Sequence, residues 1–86
     1  MNTSNVIKFP ISTEKAVRLM QSENKLVFIV DIKAKKPEIK NQIEEMFKVK
    51  VDSVKTLITP KGKKKAYVKL SPEHQALDVA TELGLM

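Results

Sequence analysis

Residues 25–32, Lys-Leu-Val-Phe-Ile-Val-Asp-Ile, hold the longest apolar run of the chain. Leu26, Phe28, Val30 and Ile32 point one way and Val27 and Ile29 the other, so the strand they predict is apolar on both faces. Such a strand belongs in the middle of a sheet with helices on both sides. Residues 5–10 read as a shorter strand with Pro10 as its stop. Between the two, Ser12 can cap a helix running to about residue 22, with Ala16, Val17, Leu19 and Met20 as its apolar stripe.

After the long strand, Pro37 suits the first turn of a second helix and Glu38 lies near its positive end. Ile39, Ile43, Met46 and Phe47 follow the i, i+4, i+7, i+8 spacing of a buried face. Glu44 is placed as an i+4 partner of Lys40. Residues 49–59 read as a strand whose alternation slips near Asp52 and Ser53, which a bulge would explain. Pro60-Lys61-Gly62 is a turn, and residues 65–70 return with Ala66, Val68 and Leu70 on one face. Ser71-Pro72 opens a third helix, with Ala76, Leu77, Ala80 and Leu83 inward, His74 in its first turn and Gly84 as its stop. The order β-α-β-α-β-β-α predicts one α/β (α+β) domain over residues 1–86. It has three layers, α/β/α, around a mixed or mostly antiparallel four-stranded sheet. The middle strand-helix-strand unit should cross over right-handed and leave its strands parallel.

Composition then removes most chemistry. There is no cysteine, so thiolate metal sites and disulfides are excluded, which fits a reducing cytoplasm. The single histidine, His74, has no second ligand or catalytic partner in view. Two glycines cannot build a phosphate-cradling loop. Glu44 and Glu45 are adjacent and diverge on a helix. No enzyme, cofactor, metal or small-molecule substrate is expected. The apolar run is far too short to span a bilayer, and the N-terminus lacks the features of a signal peptide.

Charge changes the picture. Sixteen Lys and Arg face ten Asp and Glu, and residues from 71 onward contain three acids and no base. The excess positive charge therefore lies in residues 1–70, where it favours a polyanionic partner. One cluster is Lys33, Lys35, Lys36 and Lys40, beside a helix N-terminus whose free N–H groups also favour phosphate. A second is Lys61, Lys63, Lys64 and Lys65 at the hairpin tip, with Lys55 and Lys69 on its strands. Tyr67 shares a face with Lys65 and Lys69; it either stacks on a base or sugar, or covers the sheet with its ring. Lys8 and Lys15 complete the candidate set. Fifteen of the sixteen bases are lysine, which favours point-charge contacts to phosphate over bidentate base reading.

Three ordered stretches carry a resemblance. Pro10, Thr13, Glu14 and Lys15 resemble the P-x-x-T-E-K start of large-subunit ribosomal protein twenty-three. Ala34, Lys36, Glu38, Ile39, Lys40, Ile43, Glu44, Phe47, Val49, Lys50 and Val51 are similar to its central helix and strand, and Pro60-Lys61-Gly62 with residues 64–68 to its hairpin. The similarity runs from about residue 7 to 85, and the short hairpin resembles the archaeal form. Lys55, Pro37 and Gln42 depart from the family pattern.

The resemblance implies a cytoplasmic, ribosome-bound protein held by the third domain of large-subunit rRNA beside the polypeptide exit tunnel. It implies ribosomal protein twenty-nine of the same subunit as a neighbour. The signal recognition particle and the protein-conducting channel would be transient partners, with no insertion into the membrane. It makes Glu14, Arg18, Gln21 and Glu23, on the first helix, candidates for docking, although an ordinary polar helix face would look the same. The residues alone leave two other readings open: a non-ribosomal nucleic-acid binder, and a protein adaptor whose charge serves solubility.

Overall fold

A computed structural model describes residues 6–83. Its elements are β1 (Ile7–Pro10), α1 (Glu14–Glu23), β2 (Lys25–Val30), α2 (Lys36–Phe47), β3 (Val51–Ile58), β4 (Lys64–Leu70) and α3 (Ala76–Glu82). The sheet order is β1-β2-β4-β3, and every neighbouring pair is antiparallel. β2 and β3 run in the same direction across α2, as expected of that crossover, but β4 is inserted between them. The sheet is therefore antiparallel rather than mixed. Residue 5 of the first expected strand and the Gly84 helix stop lie outside the described residues.

The doubly apolar strand has the central place its pattern demands, with β1 on one side and β4 on the other. Leu26, Phe28 and Val30 enter the main core with Ala66, Val68 and Leu70 of β4, Ile39 and Ile43 of α2, and Ala76, Val79 and Ala80 of α3. Phe28 stacks on Phe47 with ring centroids 6.4 Å apart. Val27 and Ile29, on the other face, are also buried. α1 covers part of that second face, where Ala16 and Leu19 line a small cleft with Val27 and Tyr67. Met20, on the same helix, reaches into the main core.

Local chemistry moved several boundaries. Thr13, not Ser12, caps α1, its Oγ1 accepting from the Ala16 N–H at 3.2 Å. β2 stops at Val30, because residues 31–33 turn: the Asp31 carboxylate accepts from the Lys33 N–H at 2.9 Å and its carbonyl from the Ala34 N–H. Ile32 therefore leaves the strand face and is about half exposed. Met46 is similarly exposed; Phe47 takes the core contact at the last turn of α2.

The expected bulge lies between Val51 and Ser53. Glu44 accounts for it: its carboxylate accepts from the Val51 N–H at 3.0 Å, fixing the strand to α2 just before the slip, instead of pairing with Lys40. α3 starts at Ala76, not at Ser71-Pro72, and its buried face includes Val79, while Leu77 and Leu83 are only partly covered. His74 lies in the turn before it.

Candidate nucleic-acid interface

The cross-strand register sets the second face of the sheet residue by residue. Lys25, Lys69 and Ser53 form one row, Val27, Tyr67 and Lys55 the next, and Ile29, Lys65 and Leu57 the third. Since α1 covers only the Val27 side, the β3–β4 half presents Lys55, Lys65 and Lys69 around the edge of Tyr67. Like charges directly opposite one another, as in the Lys25–Lys69 pair, disfavour a strand pairing. One acid relieves this row: Glu23 lies 2.8 Å from the Lys25 ammonium. The hydrogen bond and charge of Lys25 hold the Glu23 carboxyl below its ordinary 4.5, with help from Lys69 and Lys55. Tyr67 is partly buried in the α1 cleft beside Lys15 and Lys65, so its ring covers the sheet while one edge stays open.

The hairpin tip forms the end of the sheet. Pro60 and Lys61 are the central residues of a turn closed by Gly62 N–H to Thr59 O at 2.9 Å, and Thr59 N–H to Lys63 O pairs the strands beyond it. Gly62 takes φ +80°, the left-handed conformation this type of three-residue connection needs. Lys61 and Lys63 are thereby left exposed at the tip. Lys64 is different. It sits opposite Val30 and Ile58, on the core-facing side, and its Nζ donates to the Ala34 carbonyl at 2.6 Å. The pairing of Val30 with Lys64 sets the hairpin beside the turn carrying Lys33 and Lys35, and this bond ties the two, so the two lysine clusters, nearly thirty residues apart in sequence, meet at one end of the molecule.

The remaining candidates are divided between the two faces of the sheet. Lys36 and Lys40 share one face of α2 and border a shallow groove with Pro37, Asn41 and Val54. They lie on the helix side of the sheet, away from Lys55, Lys65 and Lys69; of those three only Lys65 is next to the hairpin end, while Lys55 stands midway along β3 and Lys69 at the far end of β4. The N-terminus of α2 is already partly served: Glu38 accepts from the Lys35 N–H at 2.9 Å. Lys8 is exposed on β1 and Lys15 on α1.

Of the docking candidates, Glu14 and Arg18 pair with each other at 3.2 Å on the solvent face of α1, Gln21 is exposed, and Glu23 is engaged by Lys25. Phe9, which as part of an apolar strand looks like core, stands on an edge strand, 49% exposed. An apolar residue next to the terminal proline of a short strand was the one available hint. Among the described residues no three metal-ligating side chains converge, and no helix is long and apolar enough to cross a membrane.

Fold and surface together define a small basic α+β domain with two lysine clusters meeting at one end of an open antiparallel sheet and further lysines along its open face. The sequence pattern of the family described as ribosomal protein L23 matches residues 5–77. The chain is 53% identical over 85 residues to the large ribosomal subunit protein uL23 of Methanococcus aeolicus, covering 99% of both. The chain belongs to the ribosomal protein L23 family, in its archaeal form, and is a structural protein of the large ribosomal subunit rather than an enzyme.

Proposed function

We propose that this protein binds the third domain of large-subunit rRNA beside the polypeptide exit tunnel and helps form the docking surface for factors that meet the emerging chain. The observation that carries the RNA-binding part is the pairing of Val30 with Lys64, reinforced by the 2.6 Å bond from Lys64 to the Ala34 carbonyl, which sets the hairpin lysines beside those before α2. Lys33, Lys35, Lys61 and Lys63 then lie at one end of the molecule, with Lys36 and Lys40 on the helix side of the sheet and Lys65, Tyr67, Lys55 and Lys69 leading away from it along the open face. A folded RNA wrapped around this end would meet phosphate-binding charge from several elements at once, and binding would follow RNA shape more than sequence. The exposed side of α1, with Glu14, Arg18, Gln21 and Glu23, offers a polar surface for docking. Ribosomal protein twenty-nine would be the fixed neighbour, and the signal recognition particle and protein-conducting channel the transient ones.

The test is equilibrium binding of the purified protein to a third-domain transcript, with unrelated structured RNA and duplex DNA as competitors, across a salt series. Preference for the rRNA near 150 mM salt supports the reading. Equal binding to all three, lost as salt rises, would reduce it to a generic basic domain.

A further inference from the structure

We propose that the groove beside β1, with Phe9 as its wall, is a stacking site for an unpaired RNA base. The proposal rests on the RNA-binding reading above and adds a residue and a ligand class to it. The groove measures about 360 Å³ and is formed where β1, the end of β2 and the hairpin tip meet. Phe9 pairs with Ile29, which forms part of the lining, and Ile32 stands beside them. Phe9 is 49% exposed and Ile32 48%. Single exposed hydrophobics are ordinary on a protein surface, but two large ones bordering one concavity mark a contact site. The Phe9 ring stacks on no other ring among the described residues, and about half of the residue is open to solvent.

The rim selects the occupant. Lys8 and Lys63 border the groove, and the one acid among the lining residues, Asp31, has its carboxylate turned to the Lys33 N–H. The ligand this fits is anionic and carries a flat apolar group. A nucleotide has both, a phosphate for the lysines and a base for the ring, and every base can stack. Gly62 adds to the fit: it lines the groove without a side chain, and nothing lies within 4 Å of where its Cβ would be, so a nucleotide can approach the backbone closely. The groove also adjoins the lysines of the hairpin tip, so a base seated on Phe9 would belong to the same RNA that those lysines hold. An acidic, apolar peptide would satisfy the charge as well, but would gain little from an aromatic ring over an aliphatic side chain of similar size.

The experiment measures binding of the full chain and its Phe9→Ala, Phe9→Leu and Phe9→Trp variants to the third-domain rRNA transcript over a salt series. Stacking predicts that Ala and Leu weaken binding by roughly 5- to 150-fold, while Trp retains it. The slope against salt should stay at the wild-type value, because no phosphate contact is removed. Phe9→Leu preserves apolar volume on the edge strand, so a loss there is not a folding defect. Wild-type affinity in both the Ala and Leu variants overturns the stacking site, leaves rRNA binding in place and turns the groove into a candidate for a protein partner. A wild-type chain that shows no preference for the rRNA overturns the RNA-binding reading itself, and the stacking site with it.

Discussion

The side-chain amide of Asn24 donates to the carbonyls of Leu70, Ser71 and His74, and its oxygen accepts from the Ala76 N–H at 2.7 Å. Its own backbone sits at φ 56°, closing α1 so that β2 can begin at the next residue. One residue thus ends one helix and caps another fifty positions away. Asn24→Ala should cost about 2–3 kcal/mol in chemical denaturation, since partly buried backbone groups lose their partners. Asn24→Gly, which tolerates the left-handed backbone, should recover only a small part of that. Full recovery by glycine would make the backbone conformation, not the hydrogen bonds, the source of the effect. Beside it, Glu23 has a folded pKa below its unfolded value of 4.5. Its contribution to stability is therefore present above 4.5 and is lost as pH falls through the lower folded value. Carboxyl NMR titration should find Glu23 below 4.5, and Lys25→Met should move it upward, because Lys25 is the main cause of the shift.

At the scale of elements, period and burial decide the outcome. Ile43 is fully buried beneath α2, so Ile43→Ala should cost about 2–5 kcal/mol. Met46, predicted to share that face, is 48% exposed, so Met46→Ala should stay within about 0.5 kcal/mol. Similar losses from both would mean that the last turn of α2 is covered in solution. The central strand, the bulge and the hairpin were legible because each is written in local alternation or turn chemistry. The start of α3 was not. Its first N–H, that of Ala76, is met by Asn24, and nothing near residues 71–76 announces a partner some fifty positions earlier in the chain. Ile32 misled for a related reason, as the alternation of residues 25–32 continues through a point where Asp31 turns the backbone. Among the site residues, the two lysine clusters were evident from charge density. Their meeting was not, because it depends on the long-range pairing of β2 with β4 that sets Val30 opposite Lys64, reinforced by one bond from Lys64.

For the whole molecule, that bond separates two roles that a run of lysines conceals. Lys64 and Lys65 are adjacent, yet the strand pleat sends Lys64 to the helix side, where its amine is bound, and Lys65 to the open face. If Lys64 holds the two clusters together and Lys65 meets phosphate, removing their charges should produce opposite signatures. Lys64→Met keeps the apolar stem and removes the amine, so it should lower stability by about 1.5 kcal/mol. It should weaken RNA binding by loosening the hairpin against the turn at Ala34, with the salt slope unchanged. Lys65→Met should leave stability nearly unaltered and reduce the slope by just under one unit for the lost phosphate contact. Denaturation and a salt series on the two variants, run side by side, check this. A reduced slope with intact stability in Lys64→Met would place its amine on the RNA and remove the strut. The strand register that sets Val30 opposite Lys64 would then hold the two clusters together on its own.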